Sequence, residues 1–192
     1  MPPKVKVTKQ EIVDAALAVV REQGVAALNA RTVAAALDCS TQPIFSNFET
    51  MDELRMAVVE EADRVCQTYL QREEACGEYP AYKANGMAYI RFAKEERELF
   101  KLLYMRDRSQ EQIPSDSEHI AKMESFVHDN TGLSGMDAKL FHLEMWAYVH
   151  GIAAMFATEF LNLEWDLVSK MITDMYQGLC KQCGKEIADG RH

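Results

Sequence analysis

The side chains with the widest chemical scope sit together in Cys39-Ser40-Thr41-Gln42-Pro43-Ile44-Phe45-Ser46-Asn47-Phe48. Hydroxyl and amide groups come first, a proline follows, and large apolar groups stand at Ile44, Phe45 and Phe48. This pattern can offer hydrogen bonds at one end and pack at the other, but it sets no base beside a nucleophile. Other reactive types are scattered. Cys180-Lys181-Gln182-Cys183 is a lone C-x-x-C with no second pair, too little for a zinc site. His142 and His150 fall eight apart on one helical face and would need a third ligand to hold a metal. Cys39 could sense oxidants only if its thiol were acidic. No phosphate loop or catalytic carboxylate pair is present, so the expectation is a non-enzyme with no metal and no cofactor.

The elements that must position the first cluster are legible around it. Thr8-Lys9-Gln10-Glu11 has the T-x-x-E form of a capping box, and Ile12, Ala16, Val19 and Val20 follow at helical spacing. Gly24 supplies the stop. Asn29 caps a second, short helix with Val33, Ala34 and Leu37 on one face. Asp38-Cys39-Ser40 then makes a turn, feasible without glycine because Asp tolerates positive φ better than most residues. Ser40 or Thr41 caps a third helix, with Pro43 in its first turn, where a missing N–H costs little. Ile44 and Phe48 would pack back on the first two helices, leaving Thr41, Gln42 and the Pro43 ring on an exposed tip. Two short helices across a tight turn, braced by a longer one, form a helix-turn-helix, whose second helix enters the DNA major groove. The tip is where base edges would be met.

Thr50-Met51-Asp52-Glu53 is another capping box and opens a fourth helix of about 25 residues, with Leu54, Val58, Ala62 and Val65 leading towards Gly77. Periodicity resumes after Pro80 with two helices that turn Met87, Ile90, Phe92, Leu99, Phe100, Leu103 and Tyr104 inward. Residues 107–118 are polar, contain Pro114 and read as a mobile loop. A further helix carries Ile120, Met123, Phe126 and Val127. Two long helices follow, over about 136–161 and 164–184. The fold class is all-α with about nine helices and no internal repeat. The expected division is a head at 1–50 and a helical ligand-binding and dimerisation domain at 51–192, with helix 4 joining them.

The last two helices are apolar over much of their circumference, through Leu140, Leu143, Trp146, Val149, Ala153 and Phe156, then Trp165, Val168, Ile172, Met175 and Leu179. Such helices need burial on more than one side. Pairing two helices from each of two subunits into a four-helix bundle would provide it. Eleven methionines, together with mid-chain aromatics, suggest a cavity for a small apolar effector. Its candidate lining is Tyr89, Phe92, Phe100, Tyr104, Met123, Phe126, Trp146 and Met155.

The net charge of −9 argues against a large polyanion-coating surface. It is uneven, however: residues 1–48 hold five Lys/Arg against four Asp/Glu. A nucleic-acid partner would therefore meet the N-terminal end. MPPKVKVTKQ has no apolar block behind it, so no secretory leader is expected. The charge-free run 145–158 falls short of the roughly 20 residues a membrane span needs. Five unevenly spaced cysteines do not form a disulfide framework, and a reduced, cytoplasmic protein is expected.

Residues 8–56 resemble the head of a TetR-family transcriptional regulator, through a first helix ending in Gly24 and then LNARTVAAAL, CSTQPIFSNF and TMDELRMAV. MAYIRFAKEERELFKLLYM and EMWAYVHGIAAM look like one branch of that family's C-terminal domains. The resemblance implies base contacts from Thr41, Gln42 and Pro43, where Gln42 suits adenine and Pro43 a thymine methyl. It places Arg31 on a guanine or a phosphate, and Asn29, Ser46 and Asn47 on phosphates. Lys4, Lys6 and Lys9 resemble a mobile basic arm. Phe45 falls where the family has a phosphate-binding Tyr, Met51 where it has a Lys, and Asp38 where it has a glycine. Each departure removes attraction for DNA.

These features together imply a homodimeric, ligand-responsive regulator, a repressor released from a palindromic double-stranded DNA operator by a small apolar molecule. The alternative is a helical small-molecule or partner-binding protein with weak or lost DNA binding.

Overall fold

A computed structural model describes residues 7–107 and 117–184 and, within the seventh helix, side chains from residue 124 onward. Among the described residues there are nine α-helices and no strand: α1 (Lys9–Gln23), α2 (Ala30–Ala36), α3 (Gln42–Asn47), α4 (Met51–Cys76), α5 (Ala81–Glu95), α6 (Arg97–Tyr104), α7 (Ser117–Thr131), α8 (Gly135–Ala157) and α9 (Trp165–Gln182). A short 3-10 turn spans Val25–Ala27. None of the helices is long and apolar enough to cross a membrane. The greater part of the expected polar loop lies outside the described residues.

The chain forms two compact units. The first joins the residues up to 68 with 95–106, so it holds α1 to α3, most of α4 and all of α6. The unit is thus larger than a head ending at residue 50, because Leu54, Val58, Ala62 and Cys66 of α4 and Leu99 and Phe100 of α6 are buried in it. Its α1 begins as expected: Thr8 Oγ1 accepts from Glu11 N–H at 3.2 Å, and Glu11 accepts from Thr8 N–H at 2.7 Å. Ile12, Ala16, Val19 and Val20 are buried. Asp38 occupies the left-handed region at φ 49.

Two caps differ from expectation. Neither Ser40 nor Thr41 caps α3 through its side chain: Thr41, the residue before the helix, is itself helical at φ −70, ψ −12 and turns no oxygen to the free N–H groups. At α4, Thr50 Oγ1 accepts from Glu53 N–H at 3.1 Å, but the Glu53 carboxylate takes Glu49 N–H instead of closing a reciprocal box.

The second unit holds residues 69–94 and 107 onward. Its core is built from Met87, Ile90 and Phe92 of α5, Val127 of α7, Phe141, Met145 and Phe156 of α8, and Val168 and Ile172 of α9. Glu73, near the end of α4, is buried and satisfied by Arg91, whose Nε and Nη2 donate to it at 3.0 and 3.4 Å. The same guanidinium lies 4.4 Å from the Trp165 ring. The expected apolar stripe of α8 divides between two faces. Val149, Ala153 and Phe156 are buried, whereas Leu140, Leu143 and Trp146 are exposed together with Met136. α8 also stops earlier than expected, since Glu159 takes φ 55 and Phe160 and Leu161 leave the helix.

Two glycines have opposite requirements. Gly24 sits at φ 78, ψ 167, a region open essentially to glycine alone, and an added Cβ would lie 2.8 Å from Glu98 Oε2. Gly86 has ordinary helical geometry inside α5, and its added Cβ would make normal contacts at 3.4 Å with Val149 and 3.7 Å with Ile172. Thermal unfolding should therefore show Gly24→Ala destabilised by about 1–3 kcal/mol. Gly86→Ala should be stabilised by up to about 1 kcal/mol through helix propensity. Equal effects of the two substitutions would contradict this assignment.

Candidate nucleic-acid interface

The orientation of α3 follows from its apolar residues. Ile44 is fully buried and Phe48 is 1 % exposed, so the opposite side of this short helix faces water. Gln42, Phe45 and Ser46 are exposed there, with Thr41 and Pro43 half-buried beside them. Among the described residues the Gln42 side-chain amide has no hydrogen-bond partner, and Arg31, exposed on the first turn of α2, has no acidic partner. Arg31, Thr41, Gln42, Pro43 and Phe45 thus keep side chains available to a partner.

The other expected contacts are engaged within the fold. Asn29 Oδ1 accepts from the N–H groups of Arg31 and Thr32 at 3.0 and 3.1 Å, while Nδ2 donates to Ala27 O. Ser46 Oγ donates to Gln42 O at 2.9 Å. Asn47 Nδ2 donates to Pro43 O at 2.8 Å and Val7 O at 3.4 Å. Lys9 belongs to the first turn of α1, not to an arm: its Nζ is 2.9 Å from Glu53 Oε1 and 4.6 Å over the Phe48 ring. Those contacts, with Lys9 the foremost, hold the Glu53 carboxyl below its ordinary value. Lys4 and Lys6 lie outside the described residues.

The expected ligand-lining residues fall in both units. Phe100 and Tyr104 belong to the first, with ring centroids 5.2 Å apart, and Tyr104 Oη lies 3.5 Å from Cys66 Sγ. Tyr89, Phe92, Phe126, Trp146 and Met155 belong to the second. The Met123 side chain lies outside the described residues. In the second unit two Tyr–His pairs join α5 to α8: Tyr82 Oη to His142 Nδ1 at 3.4 Å and Tyr89 Oη to His150 Nδ1 at 2.9 Å. Trp146 stacks on His150 with centroids 5.0 Å apart. Tyr82 also stacks on Phe126 and meets Phe141 and Tyr176 at 5.8–6.0 Å. Burial pushes the Tyr82 hydroxyl upward and the Tyr176 hydroxyl up to about 12.

Tyr82, Phe141 and Tyr176 were not singled out from sequence. The available signal was the seven-residue spacing of Tyr82 and Tyr89 beside the eight-residue spacing of His142 and His150, two turns on each helix. Among the described residues no group of three or more His, Cys, Asp or Glu could hold a metal. The five cysteines are free; Cys180 is buried and Cys183 exposed.

Comparison with known proteins agrees with this architecture. Residues 82–175 match the family described as tetracyclin repressor-like, C-terminal domain. A TetR-like transcriptional regulator from Rhodococcus sp. RHA1 has a similar structure, with a TM-score of 0.68 and 18% identity over 96% of this chain and 100% of that one. A TetR-family member from Streptomyces coelicolor A3 gives a TM-score of 0.60 and 19% identity over 87% and 96%. The multidrug binding protein EbrR, complexed with ethidium, gives 0.57 and 20% over 91% and 99%. No curated protein matches in sequence. Residues 82–175 thus match a tetracyclin repressor-like C-terminal domain, and the chain has the fold of TetR-like transcriptional regulators.

One titration follows from the second unit. Burial lowers the pKa of His150, so the unfolded chain takes up this proton at a higher pH than the folded one. The stability held by neutral His150 is complete above its ordinary value of 6.5 and is lost as the pH falls through that value towards the lower folded one. Denaturant midpoints should drop between pH 7 and pH 5.5, and drop less in His150→Gln. Identical pH dependence in the two proteins would contradict this.

Proposed function

We propose that this chain is a homodimeric, ligand-responsive DNA-binding regulator, a repressor released from a palindromic operator when a small apolar molecule binds its C-terminal body. The observation that carries the proposal is the outward tip of α3, with the Gln42 amide exposed and unpartnered among the described residues and Ile44 and Phe48 buried behind it. Gln42 offers a bidentate amide to adenine, Pro43 an apolar contact, and Arg31 a guanidinium to guanine or phosphate. With the donors of Asn29, Ser46 and Asn47 engaged internally, few side chains remain to hold phosphates, which favours modest affinity and a shallow salt dependence.

Dimerisation is supported by the exposed face of α8, where Met136, Leu140, Leu143 and Trp146 meet water, with Leu167 exposed on α9. Gly151 and Gly178 have open space beside them, which suits close approach of helices from a second copy. The effector site is assigned to the second unit, among Tyr89, Phe92, Phe126, Trp146 and Met155. The fold's likeness to a multidrug binding protein complexed with ethidium supports an aromatic-lined body of this kind. An effector releases DNA only by its preference for the non-binding state, and a coupling of about 1–3 kcal/mol changes operator affinity 5- to 150-fold.

The second reading, a helical binding protein without useful DNA affinity, is favoured by Lys9 being neutralised by Glu53 and by Phe45 lacking a hydroxyl. Selection of bound duplexes from a random pool separates the two. Enrichment of an inverted repeat is expected, with Gln42→Ala and Arg31→Ala each relaxing preference at individual base pairs by about 1–3 kcal/mol. Absence of any enriched sequence would favour the second reading.

A further inference from the structure

One side chain of α3 is explained neither by the core nor by polar contacts. Phe45 is 53% exposed, directly after the fully buried Ile44. Ile44 and Phe48 already anchor the helix, and Phe45 leaves about half of its apolar surface in water. It stands three residues after Gln42, and residues so spaced are neighbours on a helix surface. The hydroxyl of Ser46 and the amide of Asn47 are turned inward to backbone carbonyls of the same helix. Among the described residues, the outward side of α3 therefore presents one amide without a hydrogen-bond partner and one aromatic ring, and Arg31, exposed on α2 of the same unit, has no acidic partner.

A polyanionic duplex complements that free cation, and the ring cannot hydrogen-bond a phosphate. On the major-groove edge of the bases, the apolar feature that distinguishes one pair from another is the C5-methyl of thymine. We propose that Phe45 is a specificity-determining residue that packs on a thymine methyl in each operator half-site, beside the base pair met by Gln42. The assignment rests on the DNA-binding function proposed above.

Uracil keeps every hydrogen-bonding group of thymine and lacks only the methyl. The test uses the full chain and the duplex enriched from a random pool, with each thymine replaced in turn by deoxyuridine and affinity read by fluorescence anisotropy. For the native protein, uracil at one thymine of each half-site should weaken binding about fourfold, the effect of one methyl-sized apolar contact. Phe45→Ala should bind the thymine and uracil duplexes equally at that place, while Phe45→Tyr, which keeps the ring, retains the preference. Since Phe45 is exposed, unchanged thermal unfolding of the Ala variant is expected and confirms that the head is folded.

Insensitivity of the native protein to uracil at every thymine would overturn the proposal. A thymine preference of undiminished size in Phe45→Ala would also do so, by assigning the methyl to another side chain such as Pro43. Either result leaves the regulator function standing, whereas failure to enrich any duplex removes both.

Discussion

Burial of Ile44 and Phe48 fixes how α3 is turned about its own axis. With six residues the helix has under two turns, too few to be stable by itself. Its conformation and its direction are therefore set by the core of α1 and α2. Burying each of these two side chains contributes about 1.5–3 kcal/mol, more than any exposed ion pair nearby. The Lys9–Glu53 pair and the contact of Lys9 with the Phe48 ring brace the same corner, joining the start of α1 to the start of α4. These are secondary, since both partners are substantially exposed. Because the apolar residues point one way, Gln42 and Phe45 must point the other.

The same unit ties itself to α6. Arg21 of α1 donates Nε and Nη2 to the two oxygens of Glu96 at 2.9 and 3.0 Å, a bidentate arrangement of the stronger kind. Glu96 is the non-helical residue between α5 and α6, just after the chain passes from the second unit to the first. In the second unit, Glu73 of α4 is held by Arg91 of α5, and Arg91 lies over Trp165 of α9. One charged cluster thus connects three helices around a buried carboxylate, whose separation from its partner would be costly.

Local signals carried much of the fold. The capping box at Thr8, the N-cap at Asn29, the positive φ of Asp38 and the place of Pro43 in α3 depend on neighbours within a few residues, and sequence spacing exposes them directly. Long-range partners were not legible. Lys9 has the composition of a free basic arm, yet Glu53, 44 residues away, holds it. Asn47 looks like a phosphate ligand, but Val7 O lies within its reach only once α1 and α3 are folded together. The α8 stripe has one hydropathy in sequence and two environments in space, because helical periodicity cannot say where a neighbouring helix ends. The aromatic residues proposed for one cavity belong to two units for the same reason.

The most direct measurement places a DNA-cutting iron chelate on the tip of α3, through Gln42→Cys in a chain whose Cys39, Cys76 and Cys183 are replaced by serine. Bound to its selected duplex as the proposed dimer, the protein is predicted to cut at two symmetric places separated by about one helical turn or a multiple of it. Diffuse cutting, or none from a chain that still binds the duplex, would contradict an outward α3 tip reading the major groove.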